Sequence, residues 1–155
     1  MKPTTILLFV SSILLACSQS TPSNGSDVLE AKTASDGVAF ALSIPKAVFA
    51  LSDSLQLSFK LHNETTTLKT FEFANQQQFG FSLTDGSGAV VLFYPIIVQP
   101  AGSGFVLQPD EAKFFSISSL FRDQNGNFIT KGNYTLSAYL TEGKSPSVTL
   151  RISVQ

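Results

Sequence analysis

Apolar residues recur at every second position through most of this chain, and no long stretch has helical spacing. In Leu55-Gln56-Leu57-Ser58-Phe59-Lys60-Leu61-His62 the odd positions are apolar and the even ones polar. A period of two places alternate side chains on opposite faces of a strand, so this run predicts a half-buried strand. Val38, Phe40, Leu42 and Ile44 form an earlier run closed by Pro45, and Phe71 and Phe73 lie in another. Phe79, Phe81 and Leu83 lead into Asp85-Gly86-Ser87-Gly88, a tight-turn signal, and Val90 to Tyr94 follow up to Pro95. Phe114, Phe115 and Ile117 mark a further strand. Tyr134 to Leu140 and Val148 to Val154 alternate cleanly. Seven or eight short strands separated by turns predict an all-β fold, an antiparallel β-sandwich.

The N-terminus is built differently. Lys2 precedes the apolar run Ile6 to Ala16, which is too short to span about 30 Å of hydrocarbon and has the layout of a secretory signal peptide. Leu14-Leu15-Ala16-Cys17 resembles a lipobox, the motif of bacterial lipoproteins. That resemblance implies cleavage between Ala16 and Cys17 and acylation of the Cys17 thiol, so that lipid ties the chain to a membrane. The alternative is an ordinary signal peptide that ends near a cysteine. Cys17 is the only cysteine, which excludes an intramolecular disulfide and a Cys-based metal site or nucleophile. By the same resemblance to bacterial lipoproteins, Ser18 in place of Asp implies the outer membrane, facing the periplasm, in a host with two membranes. The expected location is therefore the cell envelope.

Residues 18–26 contain no apolar side chain, and a segment that cannot bury surface cannot offset its ordering entropy. Residues 17–36 are thus expected to be the lipidated Cys and a flexible linker of roughly 25 Å mean span. Val28 to Lys32 has the composition for a brief helical turn. The folded domain is expected over residues 37–155, after a signal peptide at 1–16. The formal charge is −1 with no block of either sign, which gives no support to nucleic-acid binding.

Gly132-Asn133-Tyr134 opens a late strand with a tyrosine just after a turn. This resembles the tyrosine corner of Greek-key sandwiches, where the hydroxyl bonds to upstream backbone. The alternative is an ordinary buried tyrosine.

Phe73 to Gly86 passes through Asn75-Gln76-Gln77-Gln78 into an aromatic strand and an Asp-Gly hairpin. Leu107-Gln108-Pro109-Asp110-Glu111 follows, and then Gly132-Asn133-Tyr134-Thr135-Leu136. Together these stretches resemble the BsuPI-type intracellular proteinase inhibitor family, over about Leu51 to Leu140. Asp110 stands where that family usually has Gly. Val91, Leu92 and Phe93 stand where it carries Trp. The resemblance implies an Ig-like sandwich and a protein partner, namely a protease.

Chemistry-bearing residues are few. His62 is the sole histidine and points away from the core on the strand pattern, so a hydrolase would have to use it as base, and no Gly-x-Ser-x-Gly elbow is present. Asp123-Gln124-Asn125-Gly126-Asn127 looks like a calcium loop, but Tyr134 occupies the twelfth place where that loop needs an acidic residue, so it reads as a turn. Asn63-Glu64-Thr65 spells a glycosylation triplet and also reads as a turn. No cofactor, metal or small-molecule substrate is expected. The best partner-binding segment runs from Tyr94 to Phe105, with Tyr94, Pro95, Ile96, Ile97, Val98 and Phe105 as the candidate contacts. Proline at both ends of its apolar patch stiffens an extended loop, which lowers the cost of ordering it on a partner. The competing reading is a buried crossover with Ile96 and Val98 in the core. On function, the expected activity is non-catalytic protease inhibition, with an envelope interaction or assembly module as the alternative.

Overall fold

The structure, a computed structural model, describes residues 28–155. The expectations for residues 1–27, including cleavage at Ala16 and lipidation of Cys17, lie outside those residues. All regular structure in the described part is strand. In chain order the strands are β1 (Leu29–Ser35), β2 (Val38–Ile44), β3 (Val48–Phe49), β4 (Ser54–Asn63), β5 (Lys69–Phe73), β6 (Phe79–Thr84), β7 (Val90–Tyr94), β8 (Ser103–Leu107), β9 (Ala112–Leu120), β10 (Gly132–Leu140) and β11 (Val148–Val154). One sheet has the order β1-β2-β4-β9, the other β3-β11-β10-β6-β7, and β5 and β8 form a separate ribbon. The chain passes repeatedly between the sheets, as in an Ig-like sandwich. All pairings are antiparallel except that of β3 with β11.

The alternation predicted from sequence sets the faces. Val38, Phe40, Leu42 and Ile44 of β2 point inward with Leu55, Leu57, Phe59 and Leu61 of β4. From the opposite sheet come Phe81, Leu83, Leu136, Ala138, Leu140, Ile152 and Val154. Phe59 lies at the centre, its ring 6.2 Å from that of Phe40 and 5.5 Å from that of Phe79. Phe79 in turn stacks on Phe115. Aromatic rings thus tie the two sheets together, which supplies large apolar burial without a disulfide. The tyrosine corner forms: the Tyr134 hydroxyl donates to the carbonyl of Thr130 and lies 3.0 Å from its Oγ1.

Three strands go beyond the sequence reading, and one of them corrects a boundary. Residues 29–35, read as linker with a helical turn, form β1 and pair with β2 along their whole length. The cause is Asp36-Gly37. Both residues have positive φ (50° and 70°), and Ser35 pairs directly with Val38, which makes a two-residue hairpin. Pairing to β2 overrides the weak local preference of Leu29 to Lys32, and the folded unit includes Leu29–Ser35 as well as the residues from Gly37 onward. Strand β3 is only two residues long, and β8 begins inside the segment read as a loop and runs past its end.

Carboxylates fasten two turns. Asp85 accepts hydrogen bonds from the Ser87 hydroxyl and from the amides of Ser87 and Ala89, which holds its carboxyl below the usual carboxylate range. Asp53 is lowered in the same way, by Lys46 at 2.6 Å and the Ala50 amide. A carboxyl lowered in the folded state favours folding above its unfolded pKa, and that contribution disappears as pH falls through the folded value. The melting temperature is expected to be level from about pH 7 to 5 and to fall below about pH 4. Calorimetry across that range checks this, and Asp85→Asn should make the fall shallower.

Candidate functional site

The segment between β7 and β8 is an exposed loop with both ends fixed. At its start Tyr94 pairs with Phe81 in the sheet and is half-buried, with its ring 6.1 Å from that of Phe81. The Tyr94–Pro95 peptide is cis. The chain then turns outward, and Ile96, Ile97 and Val98 are 62, 78 and 50% exposed. This corrects the buried-crossover reading: neither Ile96 nor Val98 enters the core.

The far side of the loop is held by the segment before β6. The Gln99 amide donates to Gln77 Oε1 at 3.0 Å, and the Gln99 carbonyl accepts from the amides of Gln76 (3.3 Å) and Ala101 (2.8 Å). Ser103 Oγ donates to the Asn75 carbonyl at 2.6 Å. Gln77 is itself fastened, since its carbonyl accepts from the Thr141 hydroxyl just after β10. The glutamine run therefore works as a bracket between the loop and the sandwich. Sequence reading took it as a turn and missed this role.

The six candidate contacts divide into two groups. Ile96, Ile97 and Val98 form the exposed apex. Tyr94, Pro95 and Phe105 are partly buried and frame it. Phe105 stacks on Phe71 at 4.8 Å and on Phe73 at 5.6 Å, with Lys113 Nζ 4.7 Å from its ring centroid. It anchors the return of the loop and does not face outward freely. An open cleft of about 500 Å³ lies beside Tyr94, lined also by Phe79, Phe114, Phe115 and the glutamines.

His62 lies between two carboxylates. Its Nε2 lies 2.8 Å from Asp110 Oδ1, and its Nδ1 lies 3.9 Å from Glu64 Oε1. No hydroxyl among the described residues hydrogen-bonds to it. The imidazole links β4 to the Gln108–Glu111 turn. In that turn the Glu111 amide donates to the Gln108 carbonyl, and Asp110 has φ 61°, the left-handed geometry that favours Gly at the third place of a type II turn. Asp is among the few other residues that tolerate it. The Asp123 turn likewise uses its carboxylate internally, accepting from the amides of Asn125 and Asn127.

Asn63 is the largest omission of the sequence reading. It is fully buried, and its Nδ2 reaches the carbonyls of Thr67 (2.8 Å), Leu107 (3.1 Å) and Gln108 (3.0 Å). Its Oδ1 accepts from the Thr65 amide and hydroxyl. The signal was in the alternation itself. The inward row Leu55, Leu57, Phe59, Leu61 continues to position 63.

These features define a class, an all-β sandwich that presents one braced apolar loop. Comparison with protein families finds no match, and comparison with curated proteins finds none. Among solved structures the chain is similar to part of a β-glucosidase from Erythrobacter marinus, at 14% identity and TM-score 0.47. That similarity covers 83% of this chain and 16% of the enzyme. It is also similar to an alkylpurine DNA glycosylase from Pseudomonas fluorescens bound to DNA with an abasic-site analog. Here identity is 13% and TM-score 0.47, over 72% of this chain and 28% of that one. A CARDB domain from Pyrococcus furiosus, in complex with di-metal ions, is 11% identical at TM-score 0.42 and is covered over 84% of its length. Likenesses at this level carry nothing about activity.

Proposed function

We propose that this protein is a non-catalytic, lipid-anchored component of the cell envelope that inhibits a protease by placing its Ile96–Val98 apex in the protease's substrate cleft. The observation that carries the reading is the loop. Three consecutive large apolar side chains stand in solvent on a segment fixed at Tyr94 and at Gln99. Holding apolar side chains in water is unfavourable unless a partner covers them, and fixing the backbone in advance reduces the entropy lost on docking. The resemblance of about Leu51 to Leu140 to BsuPI-type inhibitors supports a protease as that partner.

The test is inhibition of a panel of serine and metalloproteases by the purified protein. Ile96→Asp and Ile97→Asp are each expected to weaken inhibition at least about a hundredfold, because a carboxylate would be buried without a partner. No inhibition by the unmodified protein at micromolar concentration sinks the reading.

Anchoring is a separate prediction and rests on the sequence around Cys17. Cys17→Ser is expected to leave an unprocessed precursor and to abolish labelling by a clickable fatty acid. Normal processing of that variant would point to an ordinary signal peptide.

A second reading is an envelope interaction or assembly module without inhibitory activity. It draws on the outer face of β9, where Phe114 (63% exposed), Ser116, Ser118 and Leu120 form an uncharged row. It predicts a stable partner lost with Phe114→Asp and no change in any protease activity.

A further inference from the structure

We infer that the free edge of β9 pairs antiparallel with β9 of a second copy of this chain, about a two-fold axis at Ile117, so that two sandwiches share one continuous sheet. This stands apart from the inhibitory reading and gives a specific occupant to the strand on which the alternative reading draws.

The two large sheets end on four strands, β1 and β9 in one and β3 and β7 in the other. An edge strand presents unpaired amides and carbonyls, and another chain can pair with them unless charge, proline, a bulge or shortness prevents it. Three of the four strands have such protection. Strand β1 carries Glu30 and Lys32 on its exposed face, 2.9 Å apart. Strand β3 has two residues. Strand β7 has a register shift against β6 and runs into Pro95. Strand β9 has nine residues, no proline and an uninterrupted register with β4. Its one charged side chain, Lys113, is turned to the rings of Phe105 and Phe115. An open cleft of about 500 Å³ lies beside Phe114 to Ile117, so the edge is accessible there.

The backbone of β9 is set for pairing. The Asn63 amide donates to the Glu111 carbonyl, which fixes which residues of the strand bond to β4. Alternate residues of an antiparallel strand bond to opposite neighbours. Lys113, Phe115, Ile117 and Ser119 therefore bond to β4, and the amides and carbonyls of Phe114, Ser116 and Ser118 face the free edge.

The strand is also self-complementary in one register. Turned about Ile117, it sets Ser116 opposite Ser118 of the other copy, and Phe114 (63% exposed) opposite Leu120 (50%). The two-fold axis repeats both contacts. Each exposed apolar side chain then covers its counterpart, and Lys113 falls opposite Phe121, so no charge meets its like. Turned about Ser116 or Ser118 instead, the strand would set Phe114 opposite Ser118 or Arg122.

Sedimentation equilibrium of the purified full chain from about 1 μM to about 1 mM measures the association. The expected result is a monomer–dimer equilibrium with its midpoint in that range. Ser116→Pro removes an amide from the free edge and none that bonds to β4, and it is expected to leave a monomer. Ser116→Lys with Ser118→Lys sets lysines opposite each other at both serine contacts and is expected to weaken the dimer at least about tenfold. Ser116→Lys with Ser118→Glu sets opposite charges there and is expected to restore it to within about threefold. Unchanged circular dichroism and thermal melting show that each variant is folded, and the two charge variants decide the matter if the proline variant is not. A chain that stays monomeric throughout overturns the inference. Association that the proline and double-lysine variants leave unchanged does so too, by moving the contact to another surface. Equal weakening by both charge variants overturns the register about Ile117. None of these readouts involves a protease, so each outcome leaves the inhibitory reading to its own test.

Discussion

Phe59→Ala is expected to lower the stability of the sandwich by about 3–5 kcal/mol, the usual range for removing a buried ring. Phe59 has no exposed surface and lies where the sheets meet, against Phe40 of its own sheet and Phe79 of the other. Phe79 is itself held by two further rings, Phe115 and Tyr94. The cavity therefore cannot close by moving one side chain. Urea unfolding followed by fluorescence or circular dichroism measures the loss. A change under about 1.5 kcal/mol would mean that the core relaxes around the gap. Because Tyr94 packs on Phe79, the variant is also expected to loosen the start of the apical loop.

The second large effect is expected at Asn63. Asn63→Leu keeps the side-chain size but removes the amide that serves the carbonyls of Thr67, Leu107 and Gln108 and the donors on Thr65. An amide group has two hydrogens, so at least one is shared among those three carbonyls. Leaving buried acceptors unmatched costs about 1–3 kcal/mol each, and the sum is expected to reach about 3 kcal/mol or more. Asn63→Asp should be comparably harmful, since a carboxylate would face carbonyl oxygens. The damage should centre on the Gln108–Glu111 turn, whose Asp110 amide donates to the Asn63 carbonyl and whose Glu111 carbonyl accepts from the Asn63 amide. Hydrogen exchange at those amides, alongside the unfolding free energy, checks the location. A variant within about 1 kcal/mol of the unmodified protein would show that water replaces the amide.

How much could be read from residues alone follows from what alternation can and cannot encode. Strands β2, β4, β6, β10 and β11 each carry an inward apolar row and were legible. Strand β1 was missed because Asp36-Gly37 falls where the composition shifts, and it was read as a boundary when its positive-φ preference marks a hairpin. Strand β3 is too short to hold a period. Strand β8 contains Gly104, whose bare backbone lies against the Phe71 carbonyl, so the sequence there resembles a loop. Asn63 was hidden by its polarity, although it continues the inward row of β4. The apex Ile96-Ile97-Val98 has no polar alternation, so periodicity alone assigns it no face. Its exposure is decided by Gln77, more than twenty residues away in sequence, holding Gln99 outside the sandwich.

The most direct test of the proposed mechanism is binding of this protein to an inhibited protease in two forms, one with its substrate cleft open and one with a peptide inhibitor covalently filling it. Titration calorimetry with the unmodified chain and with Ile97→Asp gives four affinities. The loop mechanism predicts tight binding only for the unmodified chain with the open cleft. Equal binding to the open and filled clefts, or binding that survives Ile97→Asp, would contradict it and move recognition to another surface of the sandwich.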